Sequence, residues 1–203
     1  RLASRSTASY TPVLRDGVAD GLLVERPEGP ATAASFRALT GSDAEYAAWR
    51  AFYDEVGAFA RVVAPTLTAP LPTDRAVRDR VPAETWHALV EEPIGRAIEE
   101  RFGDDTVRGV VATDALIGTF ASLHDPTLIQ NRCFLYHLIG NGTGEWRVPV
   151  GGMGAVTDAL ARAAVEAGAT IVTGAGVSAI RPGEPATVTW HDGTHLTSAD
   201  VAF

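Results

Sequence analysis

The sequence predicts a mixed α+β protein with some α/β character, in which a largely helical lobe precedes a shorter lobe of one helix and several strands. Apolar residues recur at helical spacing through much of residues 42–120. A helix-length apolar pattern follows at residues 154–167, and Asp192-Gly193 is a strong signal for a two-residue hairpin turn. We therefore predict two domains, residues 1–150 and residues 151–203.

The first predicted element is a β-hairpin over residues 10–27. Two short apolar runs, around Val13 and around Leu22, are separated by Gly17 and Gly21. Glycine adopts turn conformations without a steric penalty, so this pattern favours two strands joined by a turn.

A long helix is predicted next. Ser42 and Glu45 have the spacing of a capping box, so we expect the helix to begin there. Its apolar residues recur at helical spacing, and we interpret them as core packing, with a wall facing a long apolar substrate as the alternative. They are Tyr46, Trp49, Phe52, Tyr53, Val56, Phe59, Ala60 and Val63.

Further helices are predicted over residues 82–120. Pro65, Pro70 and Pro72 end the long helix, Pro93 is placed in the first turn of a later one, and Gly103 separates two others. Regularity fails over residues 123–150, which contain Pro126 and several glycines. We predict an irregular segment there that forms a pocket wall or a lid.

The last fifty residues predict a turn, one helix and several strands. The order is a Gly151-Gly152 turn, a helix over residues 154–167, Gly168 as its C-cap, strands over residues 170–173 and 176–181, and a hairpin of residues 186–191 and 194–198. The chain begins at Arg1 and stops inside an apolar stretch, so we expect both ends to lie within a longer protein.

Composition excludes several function classes. The net charge is -8 and every basic residue is an arginine, with no clustered positive face, so we expect no nucleic-acid partner. Cys133 is the single cysteine, which excludes an internal disulfide and a multi-cysteine metal site and favours a reducing cytoplasm. No apolar run approaches the ~20 residues that span a bilayer, so any contact with lipid would be peripheral.

Residues 112–203 carry a resemblance to a known family. They contain ATDALIGTFASLHDP, then FLYHLIGNGTGEWRVPVGGMGAVTDALARAAVEAGATIVTGAGVSAI, and close with DGTHLTSADVAF. This segment closely resembles phytoene-dehydrogenase-like flavoproteins, and among them the group called pyridine nucleotide-disulfide oxidoreductase domain-containing proteins. Over residues 11–101 mainly the order of elements agrees.

The resemblance implies a fold and a cofactor. It implies that residues 1–150 form a helical, small-sheet substrate lobe and residues 151–203 part of an FAD/NAD(P)-binding-like lobe. No G-x-G-x-x-G follows a strand and opens a helix here, so the N-terminal Rossmann unit is expected upstream of Arg1. The implied cofactor of the full-length protein is FAD, which this fragment is not expected to retain.

The resemblance also implies cofactor contacts. Gly151, Gly152 and Met153 resemble the point at which the family's chain returns to the flavin lobe, where glycines permit close backbone approach. Val177 resembles a strand residue whose backbone meets the FAD adenine. From the residues alone, the alternatives are an ordinary tight turn and a buried strand valine.

Candidate catalytic and substrate residues fall in the irregular segment. His124 and His137 have the chemistry of an acid or a base near neutral pH, and a hydrogen bond to a loop carbonyl is the structural alternative for each. With no third ligand at a recognisable spacing, we predict no metal. Four residues are expected to line a mostly apolar cavity, unless they are core aromatics and a surface arginine. They are Phe134, Tyr136, Trp146 and Arg147.

Three functions remain open at this point. The leading hypothesis is an FAD-dependent dehydrogenase, desaturase or isomerase that transfers hydride from an apolar small molecule to flavin, inactive as this fragment alone. The second is a non-catalytic module that binds an apolar ligand or a protein. The third is an enzyme similar to flavin amine oxidases. The residues select no substrate, and a homo-oligomer is left open.

Overall fold

The computed structural model of this protein describes residues 1–15, 17–140, 147–191 and 196–201. By its internal contacts the chain divides into two compact units, a first unit of Leu2–Val148 and a second unit of Pro149–Phe203 together with Arg1. The identification of these units as a substrate lobe and a partial flavin-binding lobe stays a prediction.

The secondary structure alternates short strands with a central set of helices. The strands are β1 (Leu2–Ala3), β2 (Thr7–Arg15), β3 (Val18–Glu25), β4 (Val148–Pro149), β5 (Gly176–Arg181), β6 (Ala186–His191) and β7 (Leu196–Val201). The helices are α1 (Pro30–Thr40), α2 (Ala44–Val63), α3 (Asp74–Arg78), α4 (Ala83–Trp86), α5 (Ile94–Arg101), α6 (Asp105–Leu116), α7 (Ile129–Ile139) and α8 (Gly152–Glu166), with a 3-10 turn at Ala64–Thr66 and a π-helical turn at His87–Glu91. In the sheets β1 pairs with β4, β2 with β3, and β6 lies between β5 and β7.

The predicted N-terminal hairpin is confirmed. β2 and β3 are antiparallel, with Val13 opposite Asp20 and Thr11 opposite Leu22. Gly17 has a φ of +79°, the left-handed conformation that a tight turn between the two strands requires. Leu22 is fully buried, so one face of the hairpin lies against the core of the first unit.

The long helix is confirmed, but its predicted capping box is wrong. The residue before α2 is Asp43, and no side chain caps the first turn. Ser42 Oγ accepts from the nearby backbone N–H of Ala44 at 3.3 Å. Glu45 Oε1 accepts instead from the backbone N–H of Gly103 at 2.8 Å. A distant segment of the chain therefore uses the carboxylate that the local pattern assigned to the cap.

The predicted position of Pro93 is displaced by one residue. Pro93 directly precedes α5, with a φ of -56° and a ψ of 133°, so the helix begins at Ile94. The backbone N–H of Ile94 donates to Asn131 Oδ1 at 3.0 Å. Asn131 Nδ2 donates to the carbonyls of Leu89 and Glu92 at 3.0 and 2.7 Å. This buried amide fixes the connection between the π-helical turn and α5.

The prediction that residues 123–150 are irregular is wrong for their centre, because Ile129–Ile139 forms α7. The helix is short, it is followed by Gly140, and two of its buried side chains are the polar Gln130 and Asn131. Polar residues on the buried face obscure the apolar periodicity from which a helix is recognised. The predicted glycine-rich part at residues 141–146 lies outside the described residues.

The core of the first unit is formed by side chains from β3, α1, α2 and α4 to α7. At its centre the Phe52 ring packs against Phe102, with centroids 5.6 Å apart, and against Phe134, with centroids 5.9 Å apart. All three side chains are at most 1% exposed. The interpretation of the α2 stripe as core packing is confirmed for Trp49, Phe52, Val56 and Phe59, which are all buried.

The second unit differs from its prediction in one helix boundary and in one strand. α8 begins two residues early, at Gly152, and Gly168 follows its C-cap residue Ala167 with a φ of +94°. The strand predicted at residues 170–173 is wrong, since no strand forms there. Apolar, β-branched residues form a strand only where a neighbouring strand supplies backbone partners.

The predicted strands farther along are in part confirmed. β5 and β6 have the predicted bounds, and β5 pairs antiparallel with β6, which pairs with β7. β7 begins at Leu196, and the predicted turn at Asp192-Gly193 together with Thr194 lies outside the described residues. Within the described part of the chain, no helix has the length and apolar character to cross a membrane.

Candidate functional site

A cavity of about 780 Å³ opens within the first unit. This volume lies within the range typical of small-molecule sites. One part of its wall is formed by β2, the end of β3 and the residues just after β3. The other part is formed by α2, α6, α7, Ile117 just after α6, and residues 147–148. The cavity therefore lies between the N-terminal hairpin and the helical core.

Helical spacing explains how two of the walls form. On α6 the lining residues Val110, Thr113 and Asp114, with Ile117 beyond them, follow the i, i+3, i+4, i+7 pattern of one helix face. On α2 the lining residues are Trp49 and Tyr53, one turn apart, and their rings pack with centroids 4.4 Å apart. Each helix thus presents one edge of its apolar face to the cavity and the remainder to the core.

The wall formed by β2 is polar. Thr7, Ala8, Ser9 and Thr11 line it. The register between β2 and β3 shifts between Thr7 and Ser9, so consecutive residues reach the cavity there instead of alternating. The cavity therefore has hydroxyl groups on one side and mostly aromatic and aliphatic side chains on the other.

Charged side chains of both signs line the cavity in equal number. Two of the three carboxylates have defined partners: Glu25 Oε2 accepts from the Thr32 backbone N–H at 2.8 Å, and Glu28 Oε1 accepts from Trp49 Nε1 at 2.9 Å. The lining arginines are Arg5, Arg26 and Arg147, and the lining carboxylates are Glu25, Glu28 and Asp114.

Asp114 is the third carboxylate, and no described side chain or backbone N–H donates a hydrogen bond to it. Burial raises the pKa of Asp114 above its ordinary value, against the opposing influence of positive charge on His137 and Arg26. Burial, then the negative charges of Asp114 and Glu28, hold the pKa of the Tyr53 hydroxyl far above its ordinary value. Tyr53 is therefore a protonated phenol, able to donate a hydrogen bond, and it lines the same cavity as this partly desolvated carboxylate.

Of the four predicted substrate-lining residues, the three that the structure describes do not come together. Arg147 lines the cavity. Phe134 is fully buried and packs against Phe52, so it belongs to the core and not to the cavity wall. Tyr136 is 71% exposed. Trp146 lies outside the described residues. A role of these side chains in substrate binding stays a prediction.

The two predicted histidines lie at different places. His124 is exposed, its Nε2 lies 3.0 Å from Glu99 Oε1, and its ring covers Gly95 so closely that a Cβ there would lie 2.8 Å from the imidazole. His137 Nδ1 lies 2.8 Å from the carbonyl of Cys133 on the preceding turn of α7, and it therefore donates to it. Neither histidine lines the cavity, although positive charge on His137 would lower the pKa of Asp114. Their catalytic roles stay predictions.

The lone cysteine is part of the wall between α6 and α7. The Cys133 thiol lies 3.1 Å from the carbonyl of Ile117 and 3.4 Å from that of Asp114. A thiol is a weak donor, and here it satisfies carbonyls that the end of α6 leaves without helical partners. This side chain thereby ties α7 to the residues that line the cavity.

The predicted cofactor residues all lie in the second unit. Gly151 and Gly152 have φ values of +91° and +75°, so both adopt the left-handed conformation at the start of α8. Met153 and Val177 are 71% and 58% exposed. Val177 pairs with Trp190 across β5 and β6. The assignment of FAD contacts to these four residues stays a prediction.

Among the described residues no three histidine, cysteine, aspartate or glutamate side chains group together, and the absence of a metal stays a prediction. Sequence reasoning missed Asp114 as a cavity residue, and it named Tyr53 only within the α2 stripe, for which a substrate-facing wall was the alternative to core packing. The signal in the sequence was a single acid at helical spacing from Val107, Val110 and Val111, on the otherwise apolar face of α6. Such an acid is unusual unless it is paired or functional.

The chain is similar to two groups of known proteins. The chain is a partial homologue of a pyridine nucleotide-disulfide oxidoreductase domain-containing protein. That relative is "Pyridine nucleotide-disulfide oxidoreductase domain-containing protein 2" from Mus musculus. The two sequences are 32% identical over 142 residues, which cover 67% of this chain and 24% of the mouse protein.

Higher identity links the chain to mycobacterial proteins. It is 48% identical over 198 residues to Uncharacterized protein Rv0897c of Mycobacterium tuberculosis and to Uncharacterized protein Mb0921c of Mycobacterium bovis, and these matches cover 94% of this chain. The chain spans about a third of the length of these relatives, since 36% of each is covered. No family model and no solved structure matches the chain. The mycobacterial relatives indicate a bacterial protein.

Proposed function

We propose that this chain is the substrate-side part of an FAD-dependent oxidoreductase that transfers hydride from a mostly apolar small molecule to the flavin. The observation that carries the proposal is the 32% identity over 142 residues to a protein named for an oxidoreductase domain. On this proposal the first unit binds the substrate in its cavity, and the second unit contributes to the flavin lobe.

The cavity supports the substrate-binding half of the proposal. Its walls combine the aromatic rings of Trp49 and Tyr53 with the aliphatic side chains of Val110, Ile117 and Leu138. An apolar molecule gains free energy by leaving water for such a surface, by roughly 25 cal/mol per Å² buried. The few polar groups between them would then fix its orientation.

The start of α8 is compatible with an anionic cofactor such as FAD. No side chain caps the first turn, no acidic residue lies in it, and a Cβ added to Gly152 would meet no atom within 4 Å. Backbone N–H groups at a helix start favour negative charge. Gly151, Gly152, Met153 and Val177 would hold the cofactor, and when bound the flavin would supply the hydride acceptor.

The visible absorbance spectrum of the full-length protein purified from its host tests this proposal. We expect the bands of oxidised flavin, and we expect them to bleach when a substrate is oxidised without oxygen present. The same spectrum of the 203-residue chain should show no flavin, because the resemblance places the Rossmann unit elsewhere in the protein.

A colourless full-length protein that also fails to take up added FAD would contradict the proposal. The alternative of a non-catalytic module for an apolar ligand would then account better for the cavity. A flavin that is bound but bleached only by amines would keep the enzyme and change its substrate class to that of the amine oxidases.

A further inference from the structure

We propose that Asp114 and Tyr53 together form the polar anchor of the cavity, and that its ligand is an uncharged molecule with an apolar body and one hydroxyl group. The inference deepens the proposed function by naming the substrate class of the same cavity, and it rests on the proposed function only for the statement that this ligand is oxidised.

The first observation concerns which carboxylate is available to a ligand. Glu25 accepts from the Thr32 N–H and lies 3.2 Å from the Thr32 hydroxyl, and Glu28 accepts from Trp49 and lies 3.3 Å from the Tyr46 hydroxyl. These two carboxylates are therefore engaged by side chains and backbone of α1 and α2. Asp114 has no such donor among the described residues, although it lines the cavity. A half-buried carboxylate without a donor is destabilising unless a ligand or water supplies one.

The second observation concerns Tyr53, which lines the same cavity. The Tyr53 ring packs against Trp49 and Phe52, which fixes its position. Its hydroxyl has no hydrogen-bond partner among the described residues, and the phenol stays protonated because burial and nearby negative charge raise its pKa. Among its polar groups the cavity therefore offers an acceptor, the Asp114 carboxylate, and a donor, the Tyr53 hydroxyl, that no described residue engages. A ligand hydroxyl satisfies both, since it donates one hydrogen bond and accepts another.

The third observation concerns charge. The lining contains three arginines and three carboxylates, so its formal charges cancel. A carboxylate or phosphate ligand would face Asp114, and a protonated amine would share the cavity with Arg5, Arg26 and Arg147. Transfer of an ion from water into a partly apolar cavity is costly unless charge of the opposite sign predominates there. An uncharged hydroxyl carries no such penalty.

Calorimetric titration of the full-length protein with three probes of equal chain length tests the inference. The probes are 1-octanol, octylamine and sodium octanoate at neutral pH. We expect 1-octanol to bind more tightly than either ion. Tighter binding of octylamine or of octanoate, or no binding of 1-octanol, would overturn the inference.

Two variants and a matched control assign the binding to the anchor. Asp114→Asn should weaken 1-octanol binding about 10-fold, because a hydrogen bond to a charged acceptor is worth more than one to a neutral amide. Tyr53→Phe should weaken it about threefold. Asp54→Asn, an exposed acid beside Tyr53 on α2 that does not line the cavity, should leave it unchanged.

Thermal unfolding of the same variants separates an anchor from a structural residue. Asp114→Asn should unfold at the same or a higher temperature than the wild type, because it removes a carboxylate that burial disfavours. Weaker binding together with a lower unfolding temperature in both Asp114→Asn and Tyr53→Phe would assign the two residues to structure and overturn the inference.

The flavin spectrum of each sample keeps this test distinct from that of the proposed function. A colourless protein that binds 1-octanol through Asp114 would refute the oxidoreductase and leave the anchor standing. A yellow protein that ignores 1-octanol would refute the anchor and leave the oxidoreductase standing.

Discussion

The two units of this chain bury their apolar residues to very different extents. In the described residues every buried hydrophobic side chain except Ala186 belongs to the first unit. In the second unit α8 has no buried residue, and all of β5 is exposed. The large apolar side chains described as exposed in the second unit are Val150, Met153, Leu160, Val165, Ile171, Val172, Val177 and Ile180.

This difference separates two sources of stability. The first unit has a continuous core, and burial of apolar surface is the dominant favourable contribution to folding. The side chains described in the second unit bury little apolar surface, and the net contribution per backbone hydrogen bond in α8 and in the β5 to β7 sheet is small. The first unit therefore accounts for most of the stability that this chain generates by itself.

Hydrogen exchange should show the largest effect. We expect backbone amides in α2 and α7 to exchange at least about 1000-fold more slowly than those in α8 and β5, a difference of about 4 kcal/mol in opening free energy. Exchange measured by mass spectrometry on the 203-residue chain checks this. Equal protection in α8 and α2 would show that the second unit has a core of its own.

Truncation of Phe134 should have the next largest effect. Phe134→Ala removes a fully buried ring that packs against Phe52, so we expect a loss of about 3 to 5 kcal/mol in the free energy of unfolding of the first unit. Urea denaturation gives this value. The control is Tyr136→Ala on the same helix, where the side chain is exposed and the change should stay within about 0.5 kcal/mol.

A pair of glycines at the two ends of α8 tests the role assigned to the second unit. Gly152 and Gly168 both have positive φ and open space around the missing Cβ. Gly152→Ala and Gly168→Ala should each cost about 1 kcal/mol of strain in the left-handed conformation. In the full-length protein only Gly152→Ala should lower FAD occupancy, measured by absorbance. An equal loss in both variants would indicate a structural effect and contradict the cofactor assignment.

The smallest effect concerns the pH dependence of the first unit. Because burial raises the pKa of Asp114 in the folded state, the native protein binds this proton more tightly than the unfolded chain does. The wild type therefore gains stability relative to Asp114→Asn as the pH falls from neutral through the folded pKa toward the ordinary value of 3.8. Asp114→Asn should unfold at the higher temperature at neutral pH, and this advantage should shrink on acidification.

Thermal unfolding of the wild type, Asp114→Asn and Asp54→Asn at neutral and mildly acidic pH measures this difference. Asp54→Asn should follow the wild type at both pH values, since that carboxylate is exposed. An advantage of Asp114→Asn that grows on acidification would show that the carboxylate stabilises the fold, and it would remove the stability argument for a binding role.

The sequence by itself determined the elements whose signals are local. The N-terminal hairpin, the long helix α2 with its buried stripe, and strands β5 and β6 follow from turn glycines and from apolar spacing of 3.6 or 2 residues. Arg147 was predicted to line a substrate cavity and does line the cavity of the first unit, while its role in substrate binding stays a prediction.

Only the tertiary structure decided the features that depend on distant partners. Glu45 bonds to the Gly103 backbone in place of its predicted cap, Asn131 holds the start of α5, and residues 170–173 form no strand. The presence of Asp114 and Tyr53 in one cavity belongs to the same class, because α6 and α2 are far apart in sequence and the cavity exists only after the helices pack. Local periodicity determines which face of a helix is apolar, whereas packing determines what that face meets.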